Sequence, residues 1–479
     1  MIFSFDASSM PCFFNCSFCE FSTWYNPFLR KTLKSIELTI IGGGLSGCEA
    51  AWQAAEAGLH VKLVEMRPNV MTEAHKTDGF AELVCSNSLG SLLSDRASGL
   101  LKEELRVLKS LLVDCAEKTS LPAGNALAVD RALFSQLVTE KIANHPRIEI
   151  TRDEQKTIPR SPTVICSGPL TSSALARSIE EFLGHDSLFF YDAIAPIVSA
   201  DSINFDHAFK ASRFHEDITN EGDYINCPLS KEEYQDFVTN LKSAQTIELK
   251  SFELEIPSGV RAGSRKFFEG CLPVEELARR GDQALAFGPM RPIGLFDPHT
   301  GKGAYAILQL RQDNQAGSLY NLVGFQTNLT YPEQERVFRL IPGLENAEFV
   351  RFGQMHRNTY IASPLVLKST LQSKNRKDLF FAGQLVGVEG YMGNIASGWL
   401  AGTNAARFLN KQSLFTFPTE TMLGALAHYI TSVEVSIFQP MKANFGILKE
   451  LPEHIRSRKE KNKVLSNRSL DFMRAFINN

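Results

Sequence analysis

Two cysteines stand in segments that could present a thiol for chemistry. Cys85 lies in FAELVCSNSLGS (residues 80–91), where an apolar run changes abruptly to small polar residues. Cys271 lies in FFEGCLPVEELARRG, beside a glycine and close to a proline. Gly, Ser, Asn and Pro bend the chain, so turns are predicted around both thiols. A cysteine is more often a buried small hydrophobic residue than a catalyst, so the sequence leaves both interpretations open.

A glycine-rich turn between a predicted strand and a predicted helix could bind a phosphate group. Residues 36–41 are apolar and β-branched, which predicts a buried strand, and residues 48–57 are Ala-rich, which predicts a helix. Between them lies G-G-G-L-S-G, which contains G-x-G-x-x-G. The first glycine of this pattern permits a tight turn, the second lets the backbone approach a pyrophosphate, and the third lets helix and strand pack closely. The helix N-terminus adds free N–H groups and a positive dipole end.

An acidic residue stands where a ribose would be bound. Residues 61–64 predict a second strand, and Glu65 follows it at about 20 residues from the glycines, the usual spacing for a carboxylate that binds ribose hydroxyls. This order, in which a strand, the glycines, a helix, a second strand and an acid follow one another, predicts a dinucleotide site. The predicted cofactor contacts are Gly42, Gly43, Gly44, Leu45, Ser46, Gly47 and Glu65.

A second glycine-rich segment lies far downstream, in DLFFAGQLVGVEGYMGNIASGWLAGTNAAR (residues 378–407). Residues 379–382 predict a strand, six glycines lie from Gly383 to Gly402, and an Ala-rich helix is predicted after them. In flavoproteins with two dinucleotide-binding folds, a late strand–glycine–helix element closes over the ribityl chain of the flavin. This layout favours FAD over NAD, and it predicts that early and late parts of the chain form one domain around an inserted one.

The predicted fold is α/β, a Rossmann-like FAD-binding domain of the two-dinucleotide-binding type with an inserted α+β substrate domain. A chain of 479 residues is long enough for two domains. Residues 36–190 and 346–479 are predicted to form the discontinuous FAD-binding domain, residues 191–345 the inserted domain, and residues 1–35 an extra N-terminal tail without order. Runs such as YINCPL and LVGFQTNLTY predict strands of the inserted domain, and KEEYQDFVTNLKSA predicts a helix.

Composition and charge restrict the class of protein. Lys and Arg number 50 against 53 Asp and Glu, a net charge of −3, which excludes a globally basic nucleic-acid binder but allows a local basic patch. No apolar run reaches about 18 residues, so no transmembrane helix and no membrane association are predicted. The N-terminus makes a poor secretory signal. Nine scattered cysteines suit a reducing cytoplasm better than a disulfide scaffold, so a cytoplasmic protein is predicted.

Three cysteines of the tail have a spacing that suggests a different chemistry. Cys12, Cys16 and Cys19 form C-x3-C-x2-C, which resembles the iron–sulfur loop of radical SAM enzymes, because three thiolates could hold a cluster. Such a loop opens a barrel of alternating strands and helices, whereas here a nucleotide-binding strand follows shortly. We therefore predict an aromatic-rich tail with accidental spacing and no metal site.

From about residue 36 to residue 475 the chain resembles the folate- and FAD-dependent tRNA (uracil-5-)-methyltransferases, the TrmFO family. That family is related to the larger GidA-type tRNA-modifying flavoproteins. The motifs that carry the resemblance include IIGGGLSGCEAAWQAAEAG, AELVCSNSL, LPAGNALAVDR, FEGCLPVEELARRG, FGPMRPIGL, MHRNTYI, AGQLVGVEGYMGNIASG and FQPMKANFG. The sequence departs from the family pattern in the extra tail, in a longer loop at 257–266, and in GYMGNIASG, which differs at the expected flavin wall.

The resemblance implies methylation of the T-loop uridine of tRNA at carbon 5. It implies 5,10-methylenetetrahydrofolate as carbon donor, reduced FAD as hydride donor, and NADPH or NADH as reductant. Gly383, Gln384 and Tyr391 are then expected at the flavin, and Cys85 near it. Cys271 is expected to attack carbon 6 of uracil and Cys85 to act as base or as protector of the flavin side, although the two roles could be exchanged.

The partners implied are tRNA, folate and a nicotinamide cofactor, whereas the oligomeric state is not fixed by the sequence. An ordinary charged helix face is the stronger interpretation of IRSRKEKNK (residues 455–463), and His356, Arg357 and Asn358 could face folate or flavin or be structural. Four alternatives stay open: a flavin oxidoreductase that acts on a small molecule, modification of another tRNA uridine, a non-enzymatic RNA-binding or scaffold protein, and a radical SAM methyltransferase. The candidate tRNA contacts are Arg261, Arg265, Lys266, Arg279, Arg280 and the segment 455–463.

Overall fold

Short apolar runs of the chain form strands, and longer amphipathic or Ala-rich runs form helices. The structure is a computed structural model that describes residues 37–72, 74–184, 188–214, 222–247, 272–435 and 438–477. The strands are β1 (Leu38–Ile41), β2 (Val61–Glu65), β3 (Ser88–Ser91), β4 (Ser120–Leu121), β5 (Ala126–Val129), β6 (Ile148–Arg152), β7 (Thr163–Ile165), β8 (Leu188–Ala193), β9 (Ile197–Ser199), β10 (Phe209–Ala211), β11 (Tyr224–Leu229), β12 (Ala306–Gln312), β13 (Leu319–Leu322), β14 (Phe349–Arg351), β15 (Met355–Tyr360), β16 (Leu379–Phe381), β17 (Val388–Glu389) and β18 (Met441–Lys442). The helices are α1 (Leu45–Glu56), α2 (Ala97–Val107), α3 (Leu111–Lys118), α4 (Arg131–Ala143), α5 (Ser173–Leu183), α6 (Lys231–Ser243), α7 (Val274–Arg279), α8 (Ala284–Phe287), α9 (Tyr331–Phe338), α10 (Ser363–Val366), α11 (Tyr391–Leu409), α12 (Met422–Ser432) and α13 (Arg458–Ile477).

A five-stranded parallel sheet in the order β16–β7–β1–β2–β6 forms the nucleotide-binding half. All four residues of β1 are buried, as expected of a strand covered on both faces of a parallel sheet. The predicted strand–glycine–helix–strand unit is present as β1, α1 and β2. The predicted Rossmann-like α/β fold is therefore confirmed.

Helix α11 begins earlier than the sequence predicted. A helix was expected only after Gly402, but α11 already begins at Tyr391 and includes several of the glycines. The reason is its packing on α1. A Cβ atom on Gly398 would lie 2.2 Å from the backbone oxygen of Ser46, and one on Gly402 would lie 2.5 Å from that of Ala50. These glycines therefore permit close contact of two helices and do not form a loop.

A six-stranded antiparallel sheet in the order β10–β11–β12–β13–β9–β14 forms the second half. The predicted strand YINCPL is β11, and the predicted helix is α6. The predicted strand LVGFQTNLTY is wrong, because only Leu322 of this run belongs to a strand and Tyr331 already begins α9. Gly324 turns the chain with a φ of +78°, and Thr327 and Asn328 then bond to the buried Glu275 instead of to a neighbouring strand.

Among the described residues, the two largest hydrophobic cores accompany the five-stranded and the six-stranded sheet. One contains buried residues from 38–183 and 360–473, and the other contains buried residues from 198–347. The two chain crossings between them, β8 and β15, pair with each other as an antiparallel ribbon. The predicted domain boundaries at 190 and 346 lie in or near these crossings and stay a prediction. Within the described ranges, no helix combines the length and apolar character needed to cross a membrane.

Candidate active site

The glycine turn after β1 leaves open space at one position and is tightly packed at the others. Gly42 has a φ of +103°, and a Cβ atom there would lie 2.4 Å from the carbonyl oxygen of Cys166. A Cβ atom on Gly47 would lie 1.7 Å from the carbonyl oxygen of Gly42, whereas one on Gly44 would meet nothing within 4 Å. No side chain caps the N-terminus of α1 at Gly44. The turn thus offers an unfilled cradle and helix N–H groups, which suit a pyrophosphate.

Glu65 is held at the end of β2 as a buried carboxylate. One oxygen accepts a 2.6 Å hydrogen bond from the N–H of Gly43, and the other accepts bonds from the backbone N–H and the Nε of Arg67, at 3.0 and 2.9 Å. Burial alone would raise the pKa of this carboxyl, but the hydrogen bonds and charge of Arg67, with the Gly43 bond, hold the pKa below its ordinary value. Glu65 is therefore ionised at neutral pH and tied to the glycine turn.

These residues line one cleft of about 990 Å³, part of which is open to solvent. The predicted residues found in its wall are Gly42, Gly44, Leu45, Ser46, Glu65, Gln384 and Tyr391. The other three predicted residues are not part of this lining: Gly43, Gly47 and Gly383. The N–H of Gly383 donates a 2.9 Å bond to the hydroxyl of Ser397, and a Cβ atom on Gly383 would lie 2.5 Å from the hydroxyl of Ser46. These glycines shape the cleft through close packing.

Sequence reasoning missed two segments of the cleft wall. Residues 153–155 follow β6, and residues 166–172 follow β7, and both segments face the cleft. A signal was available, because ligands of parallel α/β sheets bind beyond the carboxyl ends of the strands. Buried Arg67 was also missed. It pairs with both Glu65 and Glu82, so its single positive charge compensates part of the negative charge of these two acids beside the cleft.

Cys85 differs from the other cysteines of the described ranges. Cys48, Cys115, Cys166 and Cys227 are buried, whereas Cys85 is partly exposed. Burial raises the pKa of the Cys115 and Cys166 thiols to about 12, so these thiols stay protonated. The structure therefore does not support the interpretation of Cys85 as a fully buried small hydrophobic residue.

Tyr391 connects the cleft to the loop that carries Cys85. Its phenolic oxygen accepts hydrogen bonds from the N–H groups of Cys85 and Ser86, at 2.9 and 3.1 Å. Burial, with Cys85 as a further cause, raises the pKa of the Tyr391 phenol, which therefore keeps its proton at neutral pH. A neutral phenol that accepts two bonds still has its own O–H to donate.

Several other candidates lie outside the described residues or on other elements of the fold. Cys271, Arg261, Arg265, Lys266 and the tail cysteines Cys12, Cys16 and Cys19 are outside the described residues. Arg279 and Arg280 are exposed, as are the five basic side chains of 455–463, where α13 begins. His356, Arg357 and Asn358 lie on β15 in the ribbon. Where the structure describes the chain, no group of three or more His, Cys, Asp or Glu side chains is placed to hold a metal ion.

The fold and the cleft define a dinucleotide-binding α/β protein with a second, antiparallel half. A family model described as glucose inhibited division protein A matches residues 37–413. Two crystal forms of Aquifex aeolicus GidA share the fold with TM-scores of 0.64, at 13% and 15% identity, and cover 93% and 91% of this chain and 74% and 76% of theirs.

Curated relatives are much more similar in sequence. The methylenetetrahydrofolate--tRNA-(uracil-5-)-methyltransferase TrmFO of Brevibacillus brevis is 52% identical over 92% of this chain and 98% of its own length. The proteins of the same name from Enterococcus faecalis and Bacillus subtilis are 53% and 52% identical, each over 91% of this chain and 97% of its own length. The chain belongs to the glucose inhibited division protein A family and, within it, to the TrmFO proteins.

Proposed function

We propose that this protein methylates carbon 5 of the T-loop uridine of tRNA, which forms ribothymidine. The carbon comes from 5,10-methylenetetrahydrofolate and the hydride from reduced FAD, with NADPH or NADH as reductant. The observation that best supports this proposal is the similarity of the chain to a protein named for methylenetetrahydrofolate and tRNA (uracil-5-) methyl transfer. The two sequences are 52% identical over 98% of that protein. Because the match covers nearly all of that protein, it is a match to the whole enzyme and not to a shared nucleotide fold alone.

The residues of the cleft fit FAD. The cradle at Gly44 and the N-terminus of α1 would hold the pyrophosphate, and the ionised Glu65 would bind ribose hydroxyls. Reduced FAD, when bound, supplies the hydride that converts an exocyclic methylene on carbon 5 into a methyl group. The proposed cofactor contacts are Gly42, Gly44, Leu45, Ser46, Glu65, Gln384 and Tyr391, whereas Gly43, Gly47 and Gly383 are proposed to shape the cleft through close packing.

Two thiols are proposed to act on uracil. We assign Cys271 as the thiolate that adds to carbon 6, which makes the ring an enolate whose carbon 5 attacks the folate methylene. We assign Cys85 as the base that removes the proton of carbon 5 while the folate nitrogen leaves, or as the group that protects the flavin side. Departure of the Cys271 thiolate at the end restores the double bond between carbons 5 and 6.

Basic side chains on the surface are proposed to bind the tRNA. The T-loop uridine is folded into the tRNA and must be exposed before a thiolate can reach carbon 6. Phosphate contacts hold the RNA and make the affinity depend on salt. The exposed Arg279 and Arg280 and the segment 455–463 are candidates in the described ranges. Because the substrate is a tRNA, we propose a cytoplasmic location.

A single assay tests the proposed function. The purified protein is loaded with FAD and incubated with unmodified tRNA, 5,10-methylenetetrahydrofolate and NADPH, and nucleosides from the T-loop fragment are analysed by mass spectrometry. Ribothymidine at the T-loop position is expected, and a tRNA with cytidine at that position is the control. NADPH oxidation without any ribothymidine would contradict the proposal and would favour a flavin oxidoreductase that acts on a small molecule.

A trapped intermediate tests the assignment of the two thiols. In tRNA that contains 5-fluorouridine, carbon 5 has no proton to remove, so the covalent adduct at carbon 6 accumulates. Peptide mapping of the adduct is expected to find Cys271, and the Cys271→Ala variant is expected to bind FAD but to form no adduct. An adduct on Cys85 instead would show that the two roles are exchanged.

A further inference from the structure

Two arginines bond to the backbone immediately before Cys85. Arg131, the first residue of α4, donates from Nη1 to the carbonyl oxygen of Leu83 at 2.7 Å. Arg351, the last residue of β14, donates from Nη2 to the carbonyl oxygen of Val84 at 2.8 Å. Both guanidinium groups are thus fixed against the peptide units that precede the thiol.

A third arginine bonds to the loop just after Cys85. Arg311, in β12, donates from Nε to the side-chain oxygen of Asn87 at 2.8 Å. Asn87 is itself buried, and its Nδ2 donates to the carbonyl oxygens of Val129 and Gln312, at 3.1 and 2.7 Å. We call Arg131, Arg311 and Arg351 the arginine trio. Its members come from three separate elements, so their convergence on one loop is not a consequence of local sequence.

The charges around the loop are not balanced. Asp313 forms an ion pair with Arg131 at 3.0 Å. A second buried carboxylate, Asp130, precedes Arg131 at the start of α4, and its Oδ2 accepts a 2.6 Å bond from the N–H of Gln315. Arg311 and Asp313 are only 7% and 4% exposed, so water screens these charges weakly. The titratable and charged groups around this loop come from several elements. They are Arg131 from α4 with Asp130 just before it, Arg311 from β12 with Asp313 just after it, Arg351 from β14, Tyr391 from α11, Tyr224 from β11, and Glu82 of the loop itself, which pairs with Arg67.

The electrostatic environment of the trio includes the Cys85 thiol itself. Burial lowers the pKa of the Arg311 and Arg351 guanidinium groups, and the negative form of Cys85 is among the groups that raise it again. In addition, Nη2 of Arg131 is buried and has no hydrogen-bond partner in the described chain. An anion at this position would therefore relieve both the charge excess and the unpaired donor.

We propose that the arginine trio holds the Cys85 thiol in place and keeps it as a thiolate at neutral pH. Three guanidinium groups against the two carboxylates of Asp313 and Asp130 leave a local excess of one positive charge, which favours a thiolate over a thiol. The members are positioning residues, since each acts through the loop and through its charge. The use of the thiolate rests on the proposed function. Of the roles considered for Cys85, those of base and of nucleophile require the ionised form.

Arg376 provides a matched control. Its guanidinium also donates to backbone carbonyl oxygens, those of Pro159, Arg160 and Ser161, but it pairs with Asp378 and lies beside no described cysteine. A guanidinium that only fixes backbone would behave like Arg376. The difference predicted for the trio is an effect on the ionisation of a neighbouring thiol.

The test is the pH dependence of Cys85 alkylation in the full-length protein loaded with FAD. Short pulses of iodoacetamide are applied from about pH 5 to about pH 10, and the Cys85 peptide is quantified by mass spectrometry. The proteins compared are the wild type, Arg351→Gln, Arg351→Lys and Arg376→Gln. In Arg351→Gln we expect the midpoint to rise by about one pH unit and alkylation at pH 7 to slow about tenfold. Arg351→Lys keeps the charge and is expected to keep the midpoint, and Arg376→Gln is expected to behave as the wild type.

Three outcomes would overturn the proposal. The first is an alkylation midpoint of the wild type at or above about pH 8.5, the pKa of an unperturbed cysteine. An unchanged midpoint in Arg351→Gln would also overturn the proposal. If Arg351→Gln fails to bind FAD, Arg311→Gln is used in its place. Faster alkylation at every pH with an unchanged midpoint would show that the trio only restrains the loop. The assay uses neither tRNA nor folate, so a low midpoint in a protein that forms no ribothymidine would contradict only the proposed function.

Discussion

The backbone N–H of Cys85 donates a 2.9 Å hydrogen bond to the phenolic oxygen of Tyr391, which stands 306 residues further along the chain. The same oxygen accepts the N–H of Ser86 at 3.1 Å. Tyr391 also forms part of the dinucleotide cleft, so one side chain connects the cleft wall to the backbone of the loop that carries Cys85. The thiol-bearing loop is thus positioned by the same helix, α11, that packs on the glycine turn through Gly398.

Replacement of Tyr391 by Phe removes the acceptor and keeps the ring. Two partly buried N–H groups then lose their partner, at a cost of about 1–3 kcal/mol. We expect FAD to stay bound and ribothymidine formation to fall about tenfold or more, because about 1.4 kcal/mol of lost positioning is tenfold in rate. Tyr429→Phe is the control, since that hydroxyl makes only one long bond of 3.4 Å, to the Gln439 carbonyl. Wild-type activity in Tyr391→Phe would contradict a positioning role.

Replacement of Glu65 by Gln tests the ribose-binding end of the cleft. The amide cannot accept from both Gly43 and Arg67, and buried Arg67 loses part of its compensating charge. A hydrogen bond to a charged group contributes about 1.5–3 kcal/mol, so FAD affinity is expected to fall about tenfold to a hundredfold. Titration calorimetry with FAD measures this. The exposed Glu56→Gln is the control, and equal affinities in the two variants would show that Glu65 is not a cofactor contact.

The nucleotide unit was predictable from sequence because its signals are local. A buried strand, three glycines with separate steric tasks, an Ala-rich helix and an acid lie within one continuous stretch. The contact of Gly47 with the carbonyl of Gly42, five residues earlier, is an example of how short these relationships are in the sequence. The family resemblance added the roles of Tyr391 and of the two cysteines, which no spacing in the chain indicates.

The features that sequence did not predict depend on contacts between distant segments. The arginine trio comes from three elements, and its target carbonyls belong to Leu83 and Val84, where no side-chain pattern indicates a bond. The glycines of α11 were misinterpreted for a related reason. Glycine weakens an isolated helix, and only the packing of Gly398 and Gly402 on α1 explains why a helix forms there.

The contact of Gly398 with α1 leads to a prediction about stability. An Ala at position 398 would place its Cβ atom 2.2 Å from the backbone oxygen of Ser46, so the two helices must separate. Such overpacking costs about 1–3 kcal/mol, and it displaces the helix whose N-terminus would hold the pyrophosphate. We expect a lower midpoint of thermal unfolding and weaker FAD binding. Gly303→Ala is the control, because a Cβ atom there meets nothing within 4 Å, and equal melting of the two variants would contradict the tight contact.

A buried acid between three helices predicts a pH dependence of stability. Glu104, in α2, accepts bonds from the first two N–H groups of α12, those of Met422 and Leu423, at 2.6 and 2.9 Å, and from the hydroxyl of Ser469 in α13. Burial raises the pKa of the Glu104 carboxyl from 4.5 to about 7, although these hydrogen bonds oppose the shift. The folded state therefore retains a proton that the unfolded chain releases at lower pH.

The sign of the effect follows from this raised pKa. The contribution of Glu104 to the free energy of unfolding is full below pH 4.5 and is lost as the pH rises to about 7. The loss is on the order of 3 kcal/mol. Urea unfolding at about pH 5 and about pH 7.5 measures it, and Glu104→Gln, which cannot titrate, is expected to lack this part of the difference. The exposed Glu453→Gln is expected to keep it. If Glu104→Gln shows the full wild-type difference between the two pH values, the pH dependence arises from another group.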